Sequence, residues 1–278
     1  MVQIKNVSSK LKSIGKKFPS VLRRHKLRPI PPAPPPKALP KGYKIVERYP
    51  LYEPFVHVAI AQNPSTGEFK YILDELQLDI LERNVYDRIL EILLAEIGSP
   101  REEIEDPRQF FVTEAEKIVN KYRISLGWLP DVSWSKILYH AQRNLVGFGR
   151  IDALMRDQNI EDISCDGVKK PVYVWHRKYE NLETNLIFGD DQELDDSVVK
   201  LVHMAGKHVS SAFPIVDASL PGKHRLAVCY RREVTPFGTA FTIRKFREDP
   251  YSIIDLINLG TLSEKMAAYF WTCLENRA

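Results

Sequence analysis

Two arginines, Arg225 and Arg244, have the type and placement to do chemistry. Strand alternation over His224 to Tyr230 points Leu226, Val228 and Tyr230 one way and Arg225, Ala227 and Cys229 the other. On the next strand Phe241 and Ile243 share one face, and Ala240, Thr242 and Arg244 the opposite one. The two guanidinium groups, nineteen residues apart in the chain, thus fall on a face otherwise lined by small side chains. That leaves room for a bulky anion beside the sheet, and guanidinium groups suit the bidentate clasp of phosphate oxygens. Arg231, Arg232, Lys245 and Arg247 add positive potential nearby. An ordinary solvated sheet face is the competing reading of the pattern alone.

Other chemistry finds less support. His203 and His208 are five residues apart on a predicted helix, a spacing that does not bring two metal ligands onto one face. Asp190, Asp191, Glu193, Asp195 and Asp196 read as helix-start charges favoured by the macrodipole. Gly206-Lys207 and Gly222-Lys223 lack the G-x-x-x-x-G-K-[ST] spacing whose amides cradle phosphates. A G-x-S-x-G elbow, an H-E-x-x-H helix and a kinase H-R-D loop are absent too. Taken alone, the sequence holds no self-sufficient active site.

The elements that must position these arginines follow from composition and periodicity. With 278 residues, 44% of them hydrophobic, the chain is long enough for one or two domains and too apolar for disorder throughout. Apolar runs are broken by charge well short of the roughly 20 residues a span needs, which predicts a soluble chain. Three dispersed cysteines, Cys165, Cys229 and Cys273, fit a reduced cytoplasmic setting. Residues 1–46 carry twelve Lys or Arg and no acid, leaving 28 basic against 36 acidic residues in the body. Residues 1–28 form a weak basic amphipathic pattern, and PIPPAPPP (29–36) favours polyproline II, so residues 1–40 read as a tethered arm. A solvated leader, an anionic membrane surface, an acidic partner and nucleic acid are its possible roles, with nucleic acid last because Phe18 alone is available for base stacking.

A first unit, 41–146, opens with a hairpin around Phe55 to Gly67 and turns helical, with Val85, Ile89, Leu93 and Ile97 stacked at i+4. Further helices are predicted over Val112 to Ser125 and from Ser133 onward. A second unit, 147–248, has short strands at Asp162 to Cys165, Val172 to His176 and Thr184 to Phe188, with a turn at Tyr179 to Leu182. A helix from Gln192 to Val209 and three strands over Pro214 to Phe246 complete it, with Pro221-Gly222 in a type II turn. Residues 249–278 form a linker and two short helices, one over Ser252 to Leu259 ended by Gly260 and one capped by Ser263. The fold class is α/β, in the α+β sense.

The segments GRIDALMRDQNIEDISCDGVKKPVYVWHRKY, FPIVDASLPGKHRLAV, VTPFGTAFTIRKF and PYSIIDLINLGTLS resemble the amino-terminal region of archaeal secretion ATPases. That family drives type II secretion, type IV pilus and archaellum assembly and is similar to the type IV secretion traffic ATPases. The resemblance is dense over about 139–275, and residues 42–138 look like the more variable amino-terminal part. It implies a hexameric ATPase using ATP and Mg, whose RecA-like domain is absent from this sequence, so a piece of a longer protein is expected. It also implies that Arg225 and Arg244 meet the nucleotide phosphates, with Arg231, Arg232 and Lys245 as further candidates for nucleotide contact. The implied partners are other copies of the chain and a membrane platform protein, at the cytoplasmic face of the membrane, with residues 1–28 near anionic lipid. Two alternatives stand beside it: a non-enzymatic adaptor of such a machine, and a DNA-translocating relative whose arm holds nucleic acid.

Overall fold

The computed structural model describes residues 39–96, 107–122, 132–247 and 251–276. The basic, proline-rich arm lies outside these residues, except for its last two, and so do residues 248–250 of the linker. Strands β1 (Lys44–Tyr52), β2 (Val56–Gln62) and β3 (Phe69–Glu75) form an antiparallel meander. The predicted hairpin is β2–β3. Its turn is set by Asn63, whose side-chain oxygen accepts from the Ser65 amide at 3.0 Å while its own amide donates to the Glu68 carbonyl at 2.9 Å.

Helices α1 (Ile80–Glu96), α2 (Pro107–Lys121) and α3 (Ser133–Leu145) follow. The i+4 ladder Val85, Ile89, Leu93 meets Phe111, Ala115 and Ile118 of α2 and Trp134 and Ile137 of α3 in a core of its own. At the near end of this helical group, Tyr139 and Arg143 of α3 reach Glu75 at the end of β3, with the Tyr139 hydroxyl and the Arg143 guanidinium each 2.6 Å from a carboxylate oxygen. His140 Nε2 donates to the Leu76 carbonyl at 2.8 Å. Burial alone would raise the Glu75 pKa, but the Arg143 charge and the hydrogen bonds from Tyr139 and Arg143 outweigh it and hold the carboxyl below its usual range.

A short 3-10 turn (Gly149–Ile151) leads into α4 (Asp152–Arg156), β4 (Ile160–Cys165), β5 (Pro171–His176) and β6 (Glu180–Ile187). The predicted turn at Tyr179 to Leu182 is shorter than expected. Antiparallel pairing brings Glu180 opposite His176, and Glu180 itself adopts a positive φ of 59°, so only residues 177–179 are needed to reverse the chain. Helix α5 (Asp191–Met204) starts on an Asp190 cap, whose side chain accepts from the Glu193 amide at 2.9 Å. It stops short of Val209 because Gly206 turns into the left-handed region (φ 68°).

Strands β7 (Ile215–Ser219), β8 (Arg225–Cys229) and β9 (Ala240–Arg244) come next, then α6 (Ile253–Asn258) and α7 (Glu264–Glu275). Between β7 and β8, Gly222 takes φ 83°, as the third position of a type II turn demands, and Lys223 follows at 62°. Ser263 caps the last helix as expected; Ser252, read as the first residue of the helix before it, is instead that helix's cap, and the Asp255 carboxylate returns the bond to complete a capping box.

All nine strands join one sheet in the order β1-β2-β3-β6-β5-β4-β9-β8-β7. Every pairing is antiparallel except β3–β6, which is parallel and brief, running over Lys70↔Glu183 and Tyr71↔Thr184. The described residues thus form a mixed α/β structure of nine strands and seven α-helices, and the strands of the two predicted units share the sheet. Where the units meet, the buried Asp157 carboxylate accepts from the hydroxyls of Tyr49 on β1 (2.6 Å) and Tyr71 on β3 (2.8 Å). One face of the β4–β9 half is closed by α5, with Leu194, Val198, Leu201 and Val202 in one core with Val174, Leu182, Leu226, Val228, Phe241 and Ile243. Each such side chain contributes about 1.5–3 kcal/mol when fully buried. Among the described residues, nothing covers the other face of β7, β8 and β9, whose outward residues are exposed or half-buried.

Candidate functional site

Arg225 opens β8 and Arg244 closes β9, and antiparallel register makes them direct cross-strand partners. Their Cα atoms are therefore about 4.5–5.5 Å apart, and both side chains leave the same face. Burial alternates as the sequence pattern requires: Leu226, Val228, Phe241 and Ile243 turn inward, while Arg225, Ala227, Thr242 and Arg244 do not. The two arginine side chains are 73% and 75% exposed, so a ligand can reach both.

Each arginine is held by a carboxylate on a neighbouring strand. Arg225 donates to Asp217 of β7 at 3.3 Å, and Arg244 donates through Nε to Asp162 of β4 at 3.1 Å. The Asp162 hydrogen bond, with its charge, raises the Arg244 pKa further, so the guanidinium stays cationic. These are solvent-screened surface ion pairs, which orient the side chains and add little to stability. A polyanion drawing on both guanidinium groups at once competes well against two separate carboxylates. Asp217, Arg225, Ala227, Thr242 and Arg244 line a shallow hollow of about 260 Å³, where the small side chains of Ala227 and Thr242, the next same-face pair along the strands, leave space beside the two arginines.

On its other side Arg244 borders a larger cavity of about 590 Å³. Arg156, Arg177, His224, Phe246 and Arg247 also line it, against the carboxylates of Glu161 and Asp162. Apart from Arg247, sequence reasoning missed these residues. Their one signal was proximity in the chain, His224 beside Arg225 and Phe246-Arg247 just after Lys245; Arg156 and Arg177 arrive from α4 and the β5–β6 turn and could only be placed by the fold. The guanidinium of Arg247 lies over the Tyr251 ring, 3.8 Å from its centroid, and its buried Nε has no hydrogen-bond partner among the described residues.

The other candidate cations do not join the pair. Arg231 and Arg232 follow the far end of β8, where Arg231 pairs with Asp195 of α5 at 3.0 Å and Arg232 with Asp191 at 3.1 Å. The hydrogen bond from Arg231 to Asp195 raises the arginine's pKa. Lys245 alternates away from Arg244 and its ammonium donates to the carbonyls of Leu154 and Asp157 beside α4, but it too lines the larger cavity that Arg244 borders. His203 and His208 stack with ring centroids 5.8 Å apart, and among the described residues no three His, Cys, Asp or Glu side chains gather as a metal site would need.

No protein-family model matches the chain. Among curated proteins, Uncharacterized protein MJ1288 of Methanocaldococcus jannaschii is 36% identical over 209 residues, covering 71% of this chain and 80% of that protein. Uncharacterized protein MJ0900 of the same organism is also 36% identical, over 251 residues that make up 82% of this chain and 44% of the relative. Uncharacterized protein MJ0781 is 34% identical over 127 residues, 46% of this chain and 17% of the relative. The chain therefore spans most of the first relative and less than half of the other two. Among solved structures, the VirB11 ATPase of the Brucella suis type IV secretion system, in complex with sulphate, is similar at 17% identity and a TM-score of 0.31. That match covers 39% of this chain and 32% of the other, too slight a likeness to assign an activity.

Proposed function

Because the chain belongs to the family of the uncharacterized Methanocaldococcus jannaschii protein MJ1288, whose relatives include proteins more than twice the matched length, we propose that it is the amino-terminal region of a secretion ATPase. In this reading it serves protein secretion or pilus or archaellum assembly and presents Arg225 and Arg244 to a nucleotide held elsewhere. The observation that supports it best is the pairing of Arg225 with Arg244 across β8 and β9 on an open face, at the positions that the sequence resemblance marks for phosphate contact.

The reading assigns ATP and Mg to a P-loop domain outside this sequence, since no Walker A motif occurs in it. The two guanidinium groups then neutralise charge that develops on the transferring phosphoryl group, a contribution that in other phosphoryl-transfer systems is about 10³ to 10⁵ in rate. When hydrolysis removes the γ-phosphate, those contacts are lost and the sheet is freed to turn about the linker between Arg247 and Tyr251. A hinge of this kind converts turnover into displacement of a platform protein at the membrane. In the same reading the protein works as a hexamer on the cytoplasmic side, with the basic arm near anionic lipid.

The test is turnover by the protein joined to its P-loop domain. Arg225→Ala and Arg244→Ala should each slow ATP hydrolysis far more than they weaken ring assembly, and unchanged turnover in both would refute the assignment. A non-enzymatic adaptor is the second reading, favoured by the 80% coverage of MJ1288, a relative of much the same size. Nucleotide-dependent binding of this chain to a P-loop protein, absent in the arginine variants, separates the first reading from the second.

A further inference from the structure

The two carboxylates that hold the arginines differ in where they stand and in which nitrogen they engage. Asp162 lies directly opposite Arg244 in the β4–β9 register and accepts from its Nε at 3.1 Å. Both terminal nitrogens of Arg244, one edge of its donor fork, make no hydrogen bond among the described residues. Asp217 stands opposite Ala227, whereas the direct partner of Arg225 on β7 is Ser219. Arg225 therefore reaches diagonally across the sheet to Asp217 and uses a terminal nitrogen to do so, at 3.3 Å. Asp217 also lines the 260 Å³ hollow together with both arginines, while Asp162 lines the larger cavity on the other side of Arg244. With its side chain 68% exposed, Asp217 can swing into water at little cost; Asp162, at 32%, is more confined.

We propose that Asp217 is a built-in competitor for an anion in this hollow. It occupies Arg225 until an oxyanion bridging Arg225 and Arg244 displaces it, and it takes Arg225 back when that oxyanion leaves. The inference rests on the reading that the arginine pair receives nucleotide phosphates. Two like charges directly opposite each other on neighbouring strands repel, and Asp217 relieves that repulsion with a single negative charge. The terminal phosphates of a nucleoside triphosphate carry more charge and reach both guanidinium groups at once, so they outcompete it. With such an anion seated, Asp217 meets a like charge across the hollow and turns outward. Once the transferred phosphoryl group has gone, the remaining charge no longer spans both arginines, and Asp217 closes on Arg225 again. The hollow is thereby cleared for the next ligand. Asp162 has a different part: from outside the hollow it fixes Arg244 through Nε and leaves the terminal nitrogens to the ligand, which makes it a positioning residue.

Calorimetric titration of the full chain with inorganic tripolyphosphate, and separately with orthophosphate, tests this. The binding to score is the part lost in the Arg225→Ala/Arg244→Ala double variant, which sets aside anions taken up by the twelve cations of residues 1–46. Asp217→Asn keeps an oxygen to accept from Arg225 and removes the charge. It should lower the tripolyphosphate dissociation constant at least about threefold, a change that an exposed charge can supply. The gain should be smaller for orthophosphate, because the repulsion removed scales with the charge of the ligand. Asp162→Asn should leave tripolyphosphate binding within about twofold or weaken it. Melting temperatures equal to the parent keep the variants comparable, and damage to the fold would not tighten binding. Unchanged or weaker binding by Asp217→Asn overturns the proposal, as does equal tightening by Asp162→Asn or binding that the arginine double variant does not diminish. The reading beneath it is decided separately, by turnover of the joined protein: slowed hydrolysis in the arginine variants beside an inert Asp217→Asn keeps the reading and removes the competitor.

Discussion

Arg225 and Arg244 are exposed side chains on buried strands, which separates what they do from what their strands do. Leu226 and Ile243, next to them in sequence, are fully buried, so the backbone that aims the guanidinium groups is fixed by residues that never meet a ligand. Removing either arginine head group should therefore leave stability within about 0.5 kcal/mol, as for surface positions generally. Hydrolysis by the joined protein should fall by about 10³, and a melting curve beside the turnover assay checks both halves of the statement. The buried histidines behave oppositely. Burial, then the Arg143 charge, lowers the pKa of His140, and burial lowers that of His176 despite the nearby Asp157 carboxylate. The unfolded chain binds protons at these sites more readily than the folded one, so stability should fall as the pH drops below about 6.5. Melting temperatures between pH 7 and 5 should show this slope, and His140→Gln should flatten it.

At the scale of elements, the join between the helical group and the sheet depends on Arg143 and Glu75. Both side chains are close to fully buried, and Tyr139 donates to the same carboxylate. Arg143→Met leaves the Glu75 charge without its partner and should cost about 3–5 kcal/mol. Since the folded Glu75 pKa is depressed, this pair stabilises the fold above the usual carboxylate pKa and loses that contribution as pH falls through the folded value. Denaturant curves of Arg143→Met and of the parent, well separated at neutral pH, should for that reason converge at acidic pH. A second element-scale prediction concerns the turn between β4 and β5. Gly167 adopts φ 118°, and a Cβ there would sit 2.4 Å from the Phe237 carbonyl oxygen. Gly167→Ala should destabilise the fold by more than the roughly 1 kcal/mol of an ordinary glycine substitution, because backbone has to move; thermal melting reads the loss.

For the whole molecule the separation of charge is the dominant feature. Twelve cations and no acid lie in residues 1–46, against a net acidic remainder, and the arm joins the body where Leu39 and Tyr43 pack on Ala59, Ala61 and Ile72 of β2 and β3. Each lysine or arginine near an anionic membrane surface contributes about 1 kcal/mol, and the effect fades beyond a Debye length. The full chain should therefore co-sediment with vesicles rich in anionic lipid at low salt and release at high salt. Deleting residues 1–38, which keeps Leu39 in place, should abolish the binding and leave the melting temperature of the body in place. No described helix is long and apolar enough to cross a membrane.

The alternation of Arg225 to Tyr230 and of Ala240 to Arg244 was legible in the residues, because a strand with one buried face must repeat at two. The helix cap at Ser263 and the helix start at Asp190 were legible too, because a cap depends on bonds made within four residues. What the chain's order could not reveal was register between distant segments. That Arg225 faces Arg244 directly, that Asp217 and Asp162 hold them, and that Arg231 and Arg232 belong to α5 instead are matters of which strand lies beside which. The joining of β1, β2 and β3 to the later strands was hidden for the same reason. It runs through one short parallel pairing and one buried aspartate reached by two tyrosines, contacts about a hundred residues apart that no local periodicity records.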